Sequence, residues 1–516
     1  MANITEEPIV TESAAAKVVV GRQTAIGGTW TVGARLVSRL IDLATMLVLA
    51  RLLRPVDFGL VAIAMTMIYV IEAALELPVS QALIRLPVTT PAHYDTAFTL
   101  SLLRGLILSL SLCLISIPFA HFYADPRMIP LICVLGLAPA ARGLVSPRLA
   151  DYLKNLDFSR DFAIEFAGKV VAFVVAVVLA LSFKTYWSIA AGTVVAPITT
   201  AIVSYILAPY RPRLSLAELP AFSGFLGWIT AAQVISALNW QSDRLLLGKL
   251  TSRPALGLFT TANDVASIPL ATIFGPILRP LLCAFALLKD DAKRLAASYQ
   301  TSATAMVTLA LPILVGESLI AEPAVRLLFG QKWLAAAPML RWLAISLIPS
   351  LFAIPLGPLV MALNQTHIFV KRNSFELCVK IPLVVIGAIK FQFFGVIFAR
   401  LISESATVLF CMIAVRKLVG LSVKDQVIAP WRSIASAAGM AVVVSLCIPQ
   451  VSRINSVLPL FAATVLTVLL GAITYCGILW SLWLWAGSPN GIEAMVAGKI
   501  STFLRRPGTR EAPQML

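Results

Sequence analysis

The residues of this 516-residue chain best placed to do chemistry are charged side chains lying deep inside long apolar runs. The first run carries Arg35, Arg39 and Asp42 at i, i+4 and i+7. Thr24, Gly28, Thr31, Ser38 and Thr45 extend the same stripe, so one face of that helix is polar along its length. Glu72 and Glu76 share a face of the second run. Glu165 and Lys169, Glu376 and Lys380, and Arg400 and Glu404 pair at i, i+4. Arg104, Arg142, Asp264, Arg279 and Arg341 stand singly, and one later run offers Gln233, Asn239, Gln241, Asp243 and Arg244. A charge at a lipid-exposed helix centre costs at least about 2.5–3.5 kcal/mol, so these groups are expected to face a bundle interior or a wet cavity.

Two kinds of chemistry follow. Arg35, Arg39, Arg104, Arg142, Arg244, Arg279, Arg341 and Arg400 predict a cationic cavity for a polyanion. The planar guanidinium fork binds phosphate oxygens in bidentate fashion and stays charged. Asp42, Glu72, Glu76, Asp243, Asp264 and Glu404 are acidic coupling candidates for an H+ or Na+ gradient, since burial lets a carboxyl titrate near neutrality. Beside this stands a structural reading, in which opposite charges at i, i+4 simply neutralise each other. No metal or other cofactor is expected. The seven cysteines lie in apolar stretches without a CxxC, and His93, His121 and His367 are far apart in sequence. No DxD, GxSxG, HExxH or P-loop pattern occurs, so an enzyme is not expected.

The elements that must position these groups are membrane spans. Hydrophobic residues make up 59% of the chain, charged ones 13%, and the mean hydropathy is +0.89. Such a composition suits a chain whose solvent is largely hydrocarbon. About fourteen spans are expected: 23–52, 58–80, 96–119, 128–149, 162–181, 186–208, 222–247, 255–287, 298–320, 334–363, 374–390, 395–418, 432–449 and 457–485. With both termini cytoplasmic, roughly 21 Lys and Arg fall on the inner side and roughly 10 on the other, as the positive-inside rule requires. That rule also accounts for the net charge of +16, and no basic run exceeds two residues, so nucleic acid is not an expected partner. The N-terminal stretch lacks the positive n-region of a signal peptide.

An internal repeat is visible. Arg51-Leu-Leu-Arg-Pro-Val-Asp-Phe-Gly59-Leu60 is echoed about 198 residues later by Lys249-Leu-Thr-Ser-Arg-Pro-Ala-Leu-Gly257-Leu258. A second echo pairs the segment Phe122-Tyr-Ala-Asp-Pro-Arg-Met-Ile-Pro130 with Phe329-Gly-Gln-Lys-Trp-Leu-Ala-Ala-Ala-Pro338. Repeated six-helix halves predict two lobes around a central cavity. The expected organisation is a cytoplasmic tail 1–22, lobes 23–213 and 214–420, a terminal hairpin 421–487 and a second tail 488–516.

Three of these stretches carry a family resemblance. Residues 50–63, reading Ala-Arg-Leu-Leu-Arg-Pro-Val-Asp-Phe-Gly-Leu-Val-Ala-Ile, resemble the first hairpin of Wzx-type polysaccharide flippases of the MOP superfamily. Asp243-Arg-Leu-Leu-Leu-Gly-Lys-Leu250 with Leu256–Asn263 is similar to that family's entry into the second lobe. Leu328–Trp333 with Ala337–Arg341 is similar to its loop between spans nine and ten. The resemblance implies an all-α, MATE-like membrane fold of two six-helix lobes plus a terminal pair, in a bacterial inner membrane. It implies a polyprenyl-pyrophosphate-linked oligosaccharide moved to the periplasmic leaflet for exopolysaccharide or lipopolysaccharide assembly, with polymerase and export machinery as further partners. A drug antiporter or a peptidoglycan-precursor flippase is the nearer alternative, and a membrane polymerase the more distant one.

Overall fold

The computed structural model describes residues 37–77, 79–86, 89–154, 159–219 and 227–489, with positions 33, 157, 493, 494 and 497. Among the described residues there are helices and no strands. Hydrocarbon offers no partner to a backbone amide, and an α-helix satisfies its own. The protein is an all-α integral membrane protein. Helices α1 (37–52), α2 (Pro55–Ala74) and α3 (Pro91–Tyr123) open the chain, followed by the short α4 (Met128–Leu135) and α5 (Leu137–Gly143). Next come α6 (Ser159–Phe183), α7 (Trp187–Leu207), α8 (Gly227–Leu250) and α9 (Arg253–Leu287). The remainder holds α10 (Ala292–Leu319), α11 (Ala337–Leu347), α12 (His367–Val419), α13 (Trp431–Ser452) and α14 (Val457–Trp485).

Helix starts follow local chemistry. Both α2 and α3 begin with proline at the first helical position, where its missing N–H costs nothing. The Arg54 amide donates to the Asp57 carboxylate at 3.1 Å, and the Thr90 amide donates to His93 Nδ1 at 3.2 Å. Outer faces are apolar and open, as lipid contact requires. Leu110 and Leu114 on α3 and Leu458, Leu466 and Ile473 on α14 are all exposed.

Ten helices among the described residues are long and apolar enough to cross a membrane, against the fourteen expected, and the differences have local causes. The first expected span is described only from residue 37. The segment 128–149 divides at Gly136 into two short helices. The expected span 222–247 is described from residue 227, within α8, whose Asn239, Gln241, Asp243, Arg244 and Lys249 dilute its apolar character. The expected spans 374–390 and 395–418 are two helices within α12, joined by a sharp turn at Gln392, where φ is 53° and ψ is −129°, so this pair stands as one among the ten. That turn brings the backbones at Gly387 and Gly395 into contact, leaving no room for a Cβ on either.

The chain divides into two compact units, Met1–Thr260 and Thr261–Leu516. This places α8 in the first unit. The reason is packing: α8 lies along α2. In the first unit α6 and α7 form the most extensive helix pair, and Leu49, Leu53, Ala176 and Ala180 bury together. In the second unit α13 packs on α14 and on α10, and Phe285, Tyr299, Leu359 and Val415 form a core.

The repeated motifs meet inside the first unit. A Cβ on Gly59 would collide with the Arg253 carbonyl, and one on Gly257 would collide with the Pro55 carbonyl. The two contacts exchange under the same offset of about 198 residues, so the repeat is realised as a reciprocal crossing of α2 and α9. The loop after α3 closes over it. Arg127 holds the Asp125 carboxylate through Nε at 2.9 Å and Nη2 at 2.8 Å, and Arg253 Nε lies 3.7 Å from it. Arg253 also donates to the Gly248 and Tyr123 carbonyls at 2.7 and 2.8 Å.

Candidate functional site

Four of the sequence-predicted charges meet in one cavity of about 530 Å³ in the first unit. Its lining includes Glu72, Glu76, Arg104 and Arg142, with Tyr69 and Ser101 beside them. Glu72 sits in the last turn of α2, Arg104 near the middle of α3, and Arg142 in the last turn of α5. The α2 helix ends at Ala74, with Pro78 downstream. Glu76 therefore lies beyond the helix rather than one turn along it, which corrects the expectation of a shared helical face. Arg104 Nε donates to the Leu75 carbonyl at 2.6 Å, placing a cation at the negative end of α2.

Arg142 Nη2 and Glu72 Oε1 form a close ion pair across α2 and α5. The carboxylate is largely covered, at 16% exposed, while the guanidinium is 52% exposed. Arg142 thus presents its remaining donors to the cavity, which is how a guanidinium recruits an anion. Two carboxylates and two guanidiniums balance in charge, so this cavity carries both signs on its wall.

The other predicted residues fall elsewhere. Arg35 lies outside the described residues. Arg39 and Asp42 on α1 are exposed, and Asp42 accepts from Lys169 Nζ of α6 at 2.7 Å. Lys169 also lies 3.3 Å from Glu165, so the expected i, i+4 pair is one edge of a three-residue network. Asp243 is buried on α8 and Arg244 partly so. In the second unit Arg279, Asp264 and Arg341 are exposed, and Arg341 Nε donates to the Ser318 carbonyl at 3.2 Å. Arg400 Nη1 donates to Asn263 Oδ1 at 2.5 Å. Glu376 and Lys380 are buried on α12, with Arg372 3.5 Å from Glu376, and Glu404 is partly buried one turn beyond Arg400.

Sequence reasoning missed Glu317 on α10, whose Oε2 is buried and without a hydrogen-bond partner. The rule that selected the other intramembrane charges applies equally to it, since it falls inside the expected span 298–320. Reasoning within single helices also missed Tyr69 and Ser101, neutral groups that only the fold brings to the cavity.

Comparison with known proteins settles the family. A profile described as polysaccharide biosynthesis protein matches residues 48–338, more than half of the chain. The chain belongs to the polysaccharide biosynthesis protein family. Similar proteins include the lipopolysaccharide biosynthesis protein WzxC of Escherichia coli K12, 24% identical over 418 residues, covering 79% of this chain and 84% of that protein. The succinoglycan biosynthesis transport protein ExoT of Rhizobium meliloti is 24% identical over 308 residues, 59% of this chain and 62% of its own. Among solved structures, the lipid II flippase MurJ in an inward closed conformation superposes with a TM-score of 0.69 at 15% identity, covering 87% of this chain and 98% of that one. Fold and family thus agree with the resemblance carried by the hairpin motifs.

Proposed function

We propose that this protein is a flippase. It carries polyprenyl-pyrophosphate-linked oligosaccharide units from the cytoplasmic to the periplasmic leaflet of the bacterial inner membrane by alternating access, supplying a polysaccharide polymerase and export machinery. The observation that carries the reading is the cavity walled by Arg104, Arg142, Glu72 and Glu76 in a membrane protein of the polysaccharide biosynthesis family. A lipid-linked oligosaccharide joins three chemistries: a hydrocarbon tail for the bilayer, a pyrophosphate for guanidinium donors, and sugar hydroxyls for mixed polar groups. The open apolar helix faces and the charged cavity supply the counterparts. ExoT, named a transport protein, and MurJ, named a lipid II flippase, support transport over covalent chemistry. Both termini are taken as cytoplasmic, and an H+ or Na+ gradient as the driving force.

The test is complementation of a deletion strain. Arg104→Ala with Arg142→Ala should reach the membrane at normal abundance, abolish surface polysaccharide and accumulate the lipid-linked intermediate. Normal export by a stably inserted double variant would remove the cavity from the pathway.

A further inference from the structure

We infer that Glu72 occupies the seat of a substrate phosphate, and that a lipid-linked pyrophosphate enters by displacing it from Arg142 while Glu72 takes up a proton. The inference rests on the transport reading above and assigns the anion subsite and its proton linkage within the same cavity.

Geometry carries it. The Glu72 carboxylate engages one Arg142 nitrogen at close range, and Arg142 is otherwise half exposed toward the cavity. A carboxylate and a phosphate present the same pair of acceptor oxygens to a guanidinium. Glu72 therefore holds Arg142 in a phosphate-ready pose when no substrate is present. Arg104 is anchored through Nε to the Leu75 carbonyl, which leaves its two terminal nitrogens to complete the seat. The cavity is large enough for a pyrophosphate with part of its first sugar.

Charge then dictates the exchange. The titratable or charged groups lining the cavity are Glu72, Glu76 and Tyr69 from α2 and the residues just past it, Arg104 from α3, and Arg142 from α5. Two carboxylates and two guanidiniums sum to zero, and a pyrophosphate diester adds two negative charges. A displaced, ionised Glu72 would face that diester across one guanidinium, where like charges repel. A proton from the aqueous side removes the repulsion. No covalent bond changes: the Arg142–Glu72 ion pair breaks, Arg142–phosphate hydrogen bonds form, and one proton moves from solvent to the Glu72 carboxylate. Release reverses each step: the Arg142–Glu72 pair re-forms and the proton returns to solvent.

The test uses the full-length protein in detergent and a water-soluble ten-carbon prenyl-pyrophosphoryl-glucose, whose diester phosphates carry no proton that titrates near neutrality. Calorimetry in buffers of different ionisation heat should show one proton taken up per probe bound. Wild-type affinity should rise as pH falls, by up to about tenfold per pH unit, the slope for one linked proton. Glu72→Gln should bind more tightly than the wild type at the alkaline end and lose the slope. Binding without proton uptake, or a pH slope in Glu72→Gln equal to the wild type's, would overturn the exchange, as would failure of the wild type to bind the probe. If uptake is absent while Arg104→Ala and Arg142→Ala still abolish export, the exchange falls and the transport reading stands. Normal export by those arginine variants takes both down.

Discussion

Replacing Gly257 by alanine tests whether the repeat motifs cross as tightly as the structure places them. An alanine Cβ at 257 would lie 2.8 Å from the Pro55 carbonyl carbon and 3.0 Å from the Gly59 amide nitrogen, with the Pro55 oxygen nearer still. Non-bonded carbons rest at about 3.5–4.0 Å, so α2 and α9 must part by at least ~0.7 Å. The obstacle is backbone on both helices, and no side-chain rotation relieves it. Forced separation of packed elements of this kind costs about 1–3 kcal/mol. An energy of that size shifts an equilibrium between closed and parted helices by roughly 5–150-fold. Leu256, fully buried on α9 beside Gly257, reports the separation. In a cysteine-free background, Leu256→Cys should react slowly with a maleimide, and Gly257→Ala should accelerate the reaction within that range. Gly59→Ala should do the same, because a Cβ there meets the Arg253 backbone. The double variant should add little, since one separation relieves both clashes. Unchanged labelling rates and melting midpoints in both single variants would refute the reciprocal crossing.

The loop after α3 gives a pH prediction. The hydrogen bonds from Arg127, with Arg253 adding charge, hold the Asp125 carboxyl below the ordinary carboxylate range. A carboxyl depressed in the folded state contributes stability that is complete above its unfolded pKa and fades as the pH falls through the lower folded value. The melting midpoint should therefore drop on acidification below the ordinary carboxylate range, and Asp125→Asn should have a lower midpoint at neutral pH with a flatter acid limb. In the second unit, the Tyr475 hydroxyl donates to the Thr308 carbonyl at 2.8 Å, while the Thr308 and Ser433 hydroxyls pair at 2.6 Å. Tyr475→Phe should cost about 0.5–1.5 kcal/mol in chemical denaturation, the usual worth of one such bond.

Much of the fold was legible because hydrocarbon imposes a simple rule: long apolar runs become helices. The polar dip around Lys390 and Gln392 reads as a turn between two spans, and the chain does reverse there, at a positive φ on Gln392. The rule was weaker where an apolar run is short or diluted, as at Met128–Gly143 and along α8. Pairing of charges was less legible. Spacing sees only neighbours on the same helix, so Glu165 and Lys169 were found together, but the Asp42 partner 127 residues away was not. Glu72 had no cation within its own helix, and its partner Arg142 stands 70 residues on. The repeat was legible as an echo, while its glycines meeting backbone to backbone was not, because an echo reports common ancestry of two segments and says nothing of their contact.

The pairing of these charges bears on why so many ionisable groups survive in an apolar chain. On the proposed reading, a guanidinium that binds a phosphate must be accommodated through every part of a transport cycle in which no phosphate is present, and a nearby partner lowers the cost of keeping it in an apolar chain. In the first unit the cost is met locally, since Arg142 rests on Glu72, Lys169 on Asp42 and Glu165, and Arg104 on a helix-end carbonyl. Partners that can be exchanged keep the cations in place without committing them. Replacing such a pair by two matched apolar residues would be expected to spare stability and abolish transport, whereas removing the carboxylate alone leaves the cation in search of an anion. The distinction separates a working charge pair from a structural one: in the working pair, the substrate can do what the partner does.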